Sequence, residues 1–145
     1  MADFKISGFA ELEKALADLP KATERSVLRR VAKKALEPMM DRAQQLAPVD
    51  EGTLRDSIVI GSSLTSRARR ADKKEPRLGV RVFMGTANRN GVPREFGTSR
   101  SSATPFMRPA WDGGNRAALD VILNDLGEEV EKAAKRAARK KARLT

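Results

Sequence analysis

Val92-Pro93-Arg94-Glu95-Phe96-Gly97-Thr98-Ser99, followed four residues on by Thr104-Pro105-Phe106-Met107-Arg108-Pro109-Ala110, is the stretch on which the fold turns. A short apolar run, a glycine bend, a hydroxyl-rich loop and a proline-started helix succeed one another here. Phe96 is expected to anchor the end of a strand in the core. Gly97 permits a bend that a side chain would block, and Thr98 and Ser99 can hydrogen-bond the turning backbone. Pro105 and Pro109 fix φ on either side of Phe106 and Arg108, so Phe106 should enter the core at a set angle. Glu95 invites a reading as a general acid or base, but no second catalytic group stands near it. A carboxylate paired with Arg94, Arg100 or Arg108, or left in solvent, is the simpler reading. The stretch is a structural corner.

Working back from it, Asn88-Arg89-Asn90-Gly91 reads as a hairpin-type turn, with 92–96 returning as a short edge strand that tolerates Pro93. The strand before the turn, 78–84, places Leu78, Val80, Val82 and Met84 on one face. Residues 65–77 carry Arg67, Arg69, Arg70, Lys73 and Lys74 and nothing strongly apolar, which predicts a mobile basic loop able to meet an anionic partner. A strand over 57–63 precedes it, entered through a single helical turn at Thr53-Leu54-Arg55-Asp56 that resembles a capping box. Gly52 is placed to take positive φ, and Pro48 stops the preceding helix. That helix spans 21–46, with Leu28, Val31, Ala35, Met39, Ala43 and Leu46 as its apolar stripe and Pro38 as a kink or break. A first helix carries Phe9, Leu12, Leu16 and Leu19, capped by Ser7 after a short strand at Phe4-Lys5-Ile6.

Beyond the corner, Gly113-Gly114-Asn115 marks the start of a long helix over 115–143. Leu119, Leu123, Leu126, Val130, Ala133 and Ala137 follow a heptad-like seam along it. The segment 132–145 is a basic helical tail with no acid after Glu131. The fold class is α+β: a small antiparallel sheet packed by two or three helices, with a long C-terminal helix, in a single domain over 1–145.

Composition removes whole classes of chemistry. The chain has 145 residues, no Cys and no His, so thiolate or imidazole catalysis and the commonest transition-metal ligands are unavailable. The acids are not clustered for a metal, and Gly113-Gly114 lacks the Lys and Ser/Thr of a phosphate loop. No catalytic residue, metal or cofactor is expected. No apolar run approaches the ~20 residues that span a bilayer, and the first residues do not read as a secretory signal, so no membrane is expected and the cytoplasm is the expected place of synthesis. A net charge of +10 favours anionic partners.

Three blocks in order carry a resemblance. They are Ala47-Pro48-Val49-Asp50-Glu51-Gly52-Thr53-Leu54-Arg55-Asp56-Ser57-Ile58, then Glu95-Phe96-Gly97-Thr98-Ser99, then Pro105-Phe106-Met107-Arg108-Pro109-Ala110. In this order the chain resembles the tail-completion, or neck, proteins of long-tailed double-stranded DNA phages, including the minor tail protein Z-like group. Glu51 departs from the pattern, which often has Thr there. The resemblance implies a non-enzymatic structural protein of the virion neck, acting late in assembly within the host cytoplasm. It implies a homo-oligomeric ring that contacts neighbouring connector and tail proteins, completing the tail or joining it to the DNA-filled head. A basic loop facing an axial channel would touch packaged double-stranded DNA without reading its sequence. The competing reading is a small basic, sequence-nonspecific nucleic-acid-binding protein.

Overall fold

Two long antiparallel helices carry the molecule. The computed structural model describes residues 8–49, 52–72 and 79–145. Within them lie α1 (Phe9–Ala17), α2 (Lys21–Leu46), α3 (Thr53–Asp56), β1 (Ile58–Gly61), α4 (Ser66–Asp72), β2 (Phe83–Thr86), α5 (Gly91–Phe96) and α6 (Met107–Leu144). The expected strand at Phe4-Lys5-Ile6, the Ser7 cap, Asp50-Glu51, Lys73, Lys74 and Leu78 fall outside the described residues.

α2 begins after Pro20, whose fixed φ suits a helix start, and ends at Leu46. Ala47 is already extended, as the residue before a proline prefers to be. The helix runs through Pro38 without a break, contrary to a split there. Pro38 lies on the exposed side, away from the seam.

The seam repeats every four residues on both partners. α2 buries Val27, Val31, Ala35, Met39 and Ala43, with Ala47 just past its end; α6 buries Ala110, Ala118, Leu126 and Val130, with Ala133 following. Val27 and Val31 cluster with Leu126 and Val130, Ala35 and Met39 with Ala118, and Ala43 and Ala47 with Ala110, which fixes the antiparallel register. A four-residue step advances about 40° around a helix, so each seam is a ridge that winds across its surface. Small side chains at one end bring the axes close. A Cβ on Gly114 would sit 2.4 Å from Met39 Cγ.

This geometry corrects the expectation for the last helix. α6 starts at Met107, not Asn115, and Gly113-Gly114 lies inside it. Leu119 and Leu123, expected in the seam, are 55% and 49% exposed. Only Leu126, Val130 and Ala133 of the heptad reading are buried, because the helix follows the four-residue ridge instead.

Among the described residues the sheet has two antiparallel strands, pairing Ile58 with Thr86 and Gly61 with Phe83. Ile58 is buried in the cluster of Ala43, Ala47, Leu54, Phe106 and Ala110. Gln44 Nε2 donates to the Ile58 carbonyl (3.3 Å), tying the strand to α2. The fold is therefore α+β and mainly helical, with a small antiparallel sheet and a long C-terminal helix.

Further segments differ from the sequence reading: the strand expected over 78–84 lies at Phe83–Thr86, with 79–82 outside it. Residues 92–96 form no edge strand; α5 occupies Gly91–Phe96. Pro93 sits in its first turn, where a backbone N–H has no intrahelical partner to lose. Part of the expected basic loop is the helix α4. Arg69 N donates to the Thr65 carbonyl (2.9 Å), Arg69 Nε to the Leu64 carbonyl (2.9 Å), and Asp72 at the far end pairs with Arg81. Alanine and arginine are good helix formers, so these ties suffice.

Candidate functional site

The corner closes as a clasp around one carboxylate. Glu95 lies at the end of α5 and is 4% exposed. Its Oε2 accepts from Phe106 N (2.7 Å) and Met107 N (2.9 Å), and its Oε1 from Arg108 N (3.0 Å) and Arg108 Nε (3.0 Å). Arg108 Nη2 donates to the Glu95 carbonyl (2.8 Å). The first N–H groups of a helix have no partner within it. Here a carboxylate eleven residues upstream satisfies those of α6, and its charge suits the positive end of the helix dipole.

Burial by itself would raise the Glu95 pKa. The backbone bonds from Met107, Phe106 and Arg108, with the Arg108 side chain, outweigh that and hold it below the usual carboxylate range. A carboxylate with both oxygens committed and a lowered pKa is a poor proton acceptor. Its four bonds make it the cap of α6.

The expected pairing with Arg108 is present, but the carboxylate is buried rather than solvated. Phe96 is not a core anchor: it is 62% exposed, and the Arg108 guanidinium stacks over its ring at 4.7 Å. Phe106 is the side chain that fills the core, fully buried between Pro105 and Pro109. Gly97 turns the chain with φ 76° and ψ 173°, a conformation essentially confined to glycine. A Cβ there would lie 2.8 Å from Ala103 N. Thr98 Oγ1 accepts from Arg100 N and Ser101 N, closing the loop, and the Arg94 carbonyl accepts from Thr104 N (2.7 Å).

The earlier block packs on the same core. Gly52 has φ 73° and precedes α3, with no side-chain cap, so the expected capping box is not formed. Leu54 is buried against Phe106 and Ile58. Ser57 Oγ donates to the Leu54 carbonyl (2.6 Å), leaving its lone pairs for the hydroxyl of Thr86, which itself accepts from Asn88 N. Pro48 is half-buried just beyond α2. Leu54 and Phe106 thus share one buried cluster with Ile58 and Ala110, Ser57 is tied to Leu54, and the clasp of Glu95 and Arg108 closes at the start of α6 beside it.

The cations lie elsewhere. Arg67 and Arg70 on α4 are exposed and engaged by no ion pair among the described residues, whereas Arg69 is tied to Leu64. At the other end of α2, Arg30 pairs with Glu129 (2.7 Å) and Lys34 with Asp125 (2.6 Å) across the seam. The hydrogen bond to Asp125 and its charge raise the Lys34 pKa. Among the described residues no group of three or more His, Cys, Asp or Glu could hold a metal ion, and no helix is long and apolar enough to cross a membrane.

The capping role of Glu95 escaped the sequence reading. A signal was there: position 106, before the Met-Arg-Pro start, is Phe and offers no capping oxygen, so the N–H groups needed an acceptor from outside.

A family model described as "Bacteriophage HK97-gp10, putative tail-component" matches residues 10–88. The matched range runs from α1 through β2 and takes in residues 47–58, while the clasp and α6 lie beyond it. No curated protein and no solved structure matches.

Proposed function

This chain belongs to the HK97 gp10-like family of bacteriophage tail components, and from that premise we propose that it completes the tail or joins it to the DNA-filled head as one subunit of an oligomeric ring. The family match over residues 10–88 is the observation that carries the reading. A tail component is part of the virion, and its neighbours are other phage proteins. Two features support a non-enzymatic, structural role. The most buried carboxylate among the described residues, Glu95, is spent on capping α6, and the clasp it closes makes a rigid corner of the kind an assembly part needs.

Deleting the gene from its parent phage and imaging lysates by electron microscopy tests this. DNA-filled heads beside separate tails are expected; normal infectious particles would overturn the reading.

Arg67 and Arg70 keep a second reading in play, in which they contact DNA without reading its sequence. Reversing both charges should impair DNA retention or ejection while leaving the folding midpoint unchanged. Tight duplex binding by the isolated monomer, with a steep salt dependence, would instead favour a nucleic-acid-binding protein.

A further inference from the structure

The start of α2 and the end of α6 form one end of the molecule, and its two faces carry opposite charge. On one face lies α1. Its Leu12, with Leu19 just beyond it, packs into the cluster of Val27, Val31, Leu126 and Val130, which Leu28 joins. The outer side of α1 presents Glu13 and, just past its end, Asp18, against the single base Lys14. Phe9 stands beside Glu13, one helical turn earlier, and is 75% exposed.

The opposite face is cationic. A shallow groove runs between α2 and α6, lined by Arg30, Arg136, Lys140 and Lys141 over a floor that includes Val27 and Ala133. No α1 residue lines it. Leu28 and Arg30 point about 160° apart around α2, so the groove and the α1 layer lie on different sides of the same two-helix body. Glu129 neutralises Arg30, and Asp125 neutralises Lys34. Arg136, Lys140 and Lys141 in the groove have no ion-pair partner among the described residues.

We propose that copies of this chain associate front to back, the acidic α1 face of one seated on the basic α2/α6 groove of the next. The occupant is a second copy because the two surfaces are complementary in charge and each offers apolar area: Phe9 on one side, and the groove floor with the exposed Leu144 at its end on the other. A contact between two different faces is heterologous, so it propagates and closes into a ring when the rotation per subunit divides a full turn. Such a contact rests on the ring reading above and gives it a surface.

The test is sedimentation of the full chain. At about 50 mM salt, assemblies larger than a dimer are expected, and at about 0.5 M salt they dissociate, because exposed charges are then screened. E13K/D18K and R136E/K140E should each weaken association at least about tenfold, and mixing the two restores it, because the reversed faces complement each other. Circular dichroism of each variant alone checks that it folds. Assemblies that persist in both variants would overturn this contact and leave a ring built on another face. A wild-type chain that stays monomeric at every salt and concentration would overturn the contact and count against the ring as well. Loss in both variants without rescue on mixing would also overturn the pairing of these two faces.

Discussion

Glu95 holds a charge in a place where charge is costly, and four donors hold it there. Replacing it with Gln puts an NH₂ among N–H groups that need an acceptor, a loss of about 1–3 kcal/mol. Glu95→Ala strands the same backbone donors outright and should cost more than the Gln variant, while the half-exposed Arg108 guanidinium turns to solvent. The pH dependence follows from the direction of the shift. The native pKa lies below the ordinary 4.5, so the unfolded chain takes up the proton first. The stabilisation is complete above the ordinary value and is lost as pH falls through it towards the native pKa. Urea denaturation of the wild type should show this decline below pH 4.5, and Glu95→Gln should flatten it; parallel curves for the two would contradict the assignment. Gly97 gives a second test at this scale. Gly97→Ala must place a Cβ 2.8 Å from Ala103 N in a backbone region closed to L-residues, a cost of about 1–3 kcal/mol before the clash is counted. A midpoint equal to wild type would mean that the turn relaxes. The Gly97 bend and the burial of Phe106 were both legible in the sequence, because local φ demands and proline spacing act over a few residues. The capping by Glu95 was not, since it joins groups eleven residues apart whose meeting depends on where α5 ends.

At the scale of elements, two adjacent glycines in α6 separate propensity from packing. Gly113 faces open space, whereas a Cβ on Gly114 would strike Met39. Gly113→Ala should therefore stabilise by about 0.5–1 kcal/mol, the ordinary gain of alanine over glycine in a helix interior. Gly114→Ala gains the same propensity but must push α2 and α6 apart, and a net loss of about 1–3 kcal/mol is expected. Denaturant midpoints of opposite sign would confirm that the seam passes through Gly114; the same sign for both would displace it. This pair also explains why the α6 start was misplaced. Gly-Gly-Asn reads locally as a helix boundary, yet packing against Met39 requires the second glycine inside the helix. The bounds of α2 were legible, because Pro20 and Pro48 bracket an apolar repeat, but its interior was less so: the helix continues through Pro38, and Val27 rather than Leu28 is buried. Residues 92–96 were not legible, since Val92 and Phe96 suit a strand by propensity and an edge strand tolerates Pro93. Only the position of Pro93 in a first turn, with Gly91 packed against Thr86, makes the helix acceptable.

Over the whole molecule, charge and packing are divided along α6. Its last fully buried residue is Ala133, and the eleven residues from 135 to 145 contribute six cations and no acid. A chain ending at Ala134 keeps the register of Val27, Val31, Leu126 and Val130, the clasp, and both ion pairs across the seam. It loses Arg136 and Lys140 from the groove and the half-buried Ala137 beneath them. Truncation should therefore lower stability by no more than about 1 kcal/mol, which is a few degrees in Tm for a domain of this size. Retention on a polyanionic column and association at low salt should fall much further. A collapse of Tm would show instead that the tail stabilises the start of α2, where Pro20 and Ala22 line the same groove. The two outcomes divide the physical roles of one helix: residues 107–133 hold the fold together, and the tail presents charge to whatever the assembly places beside it.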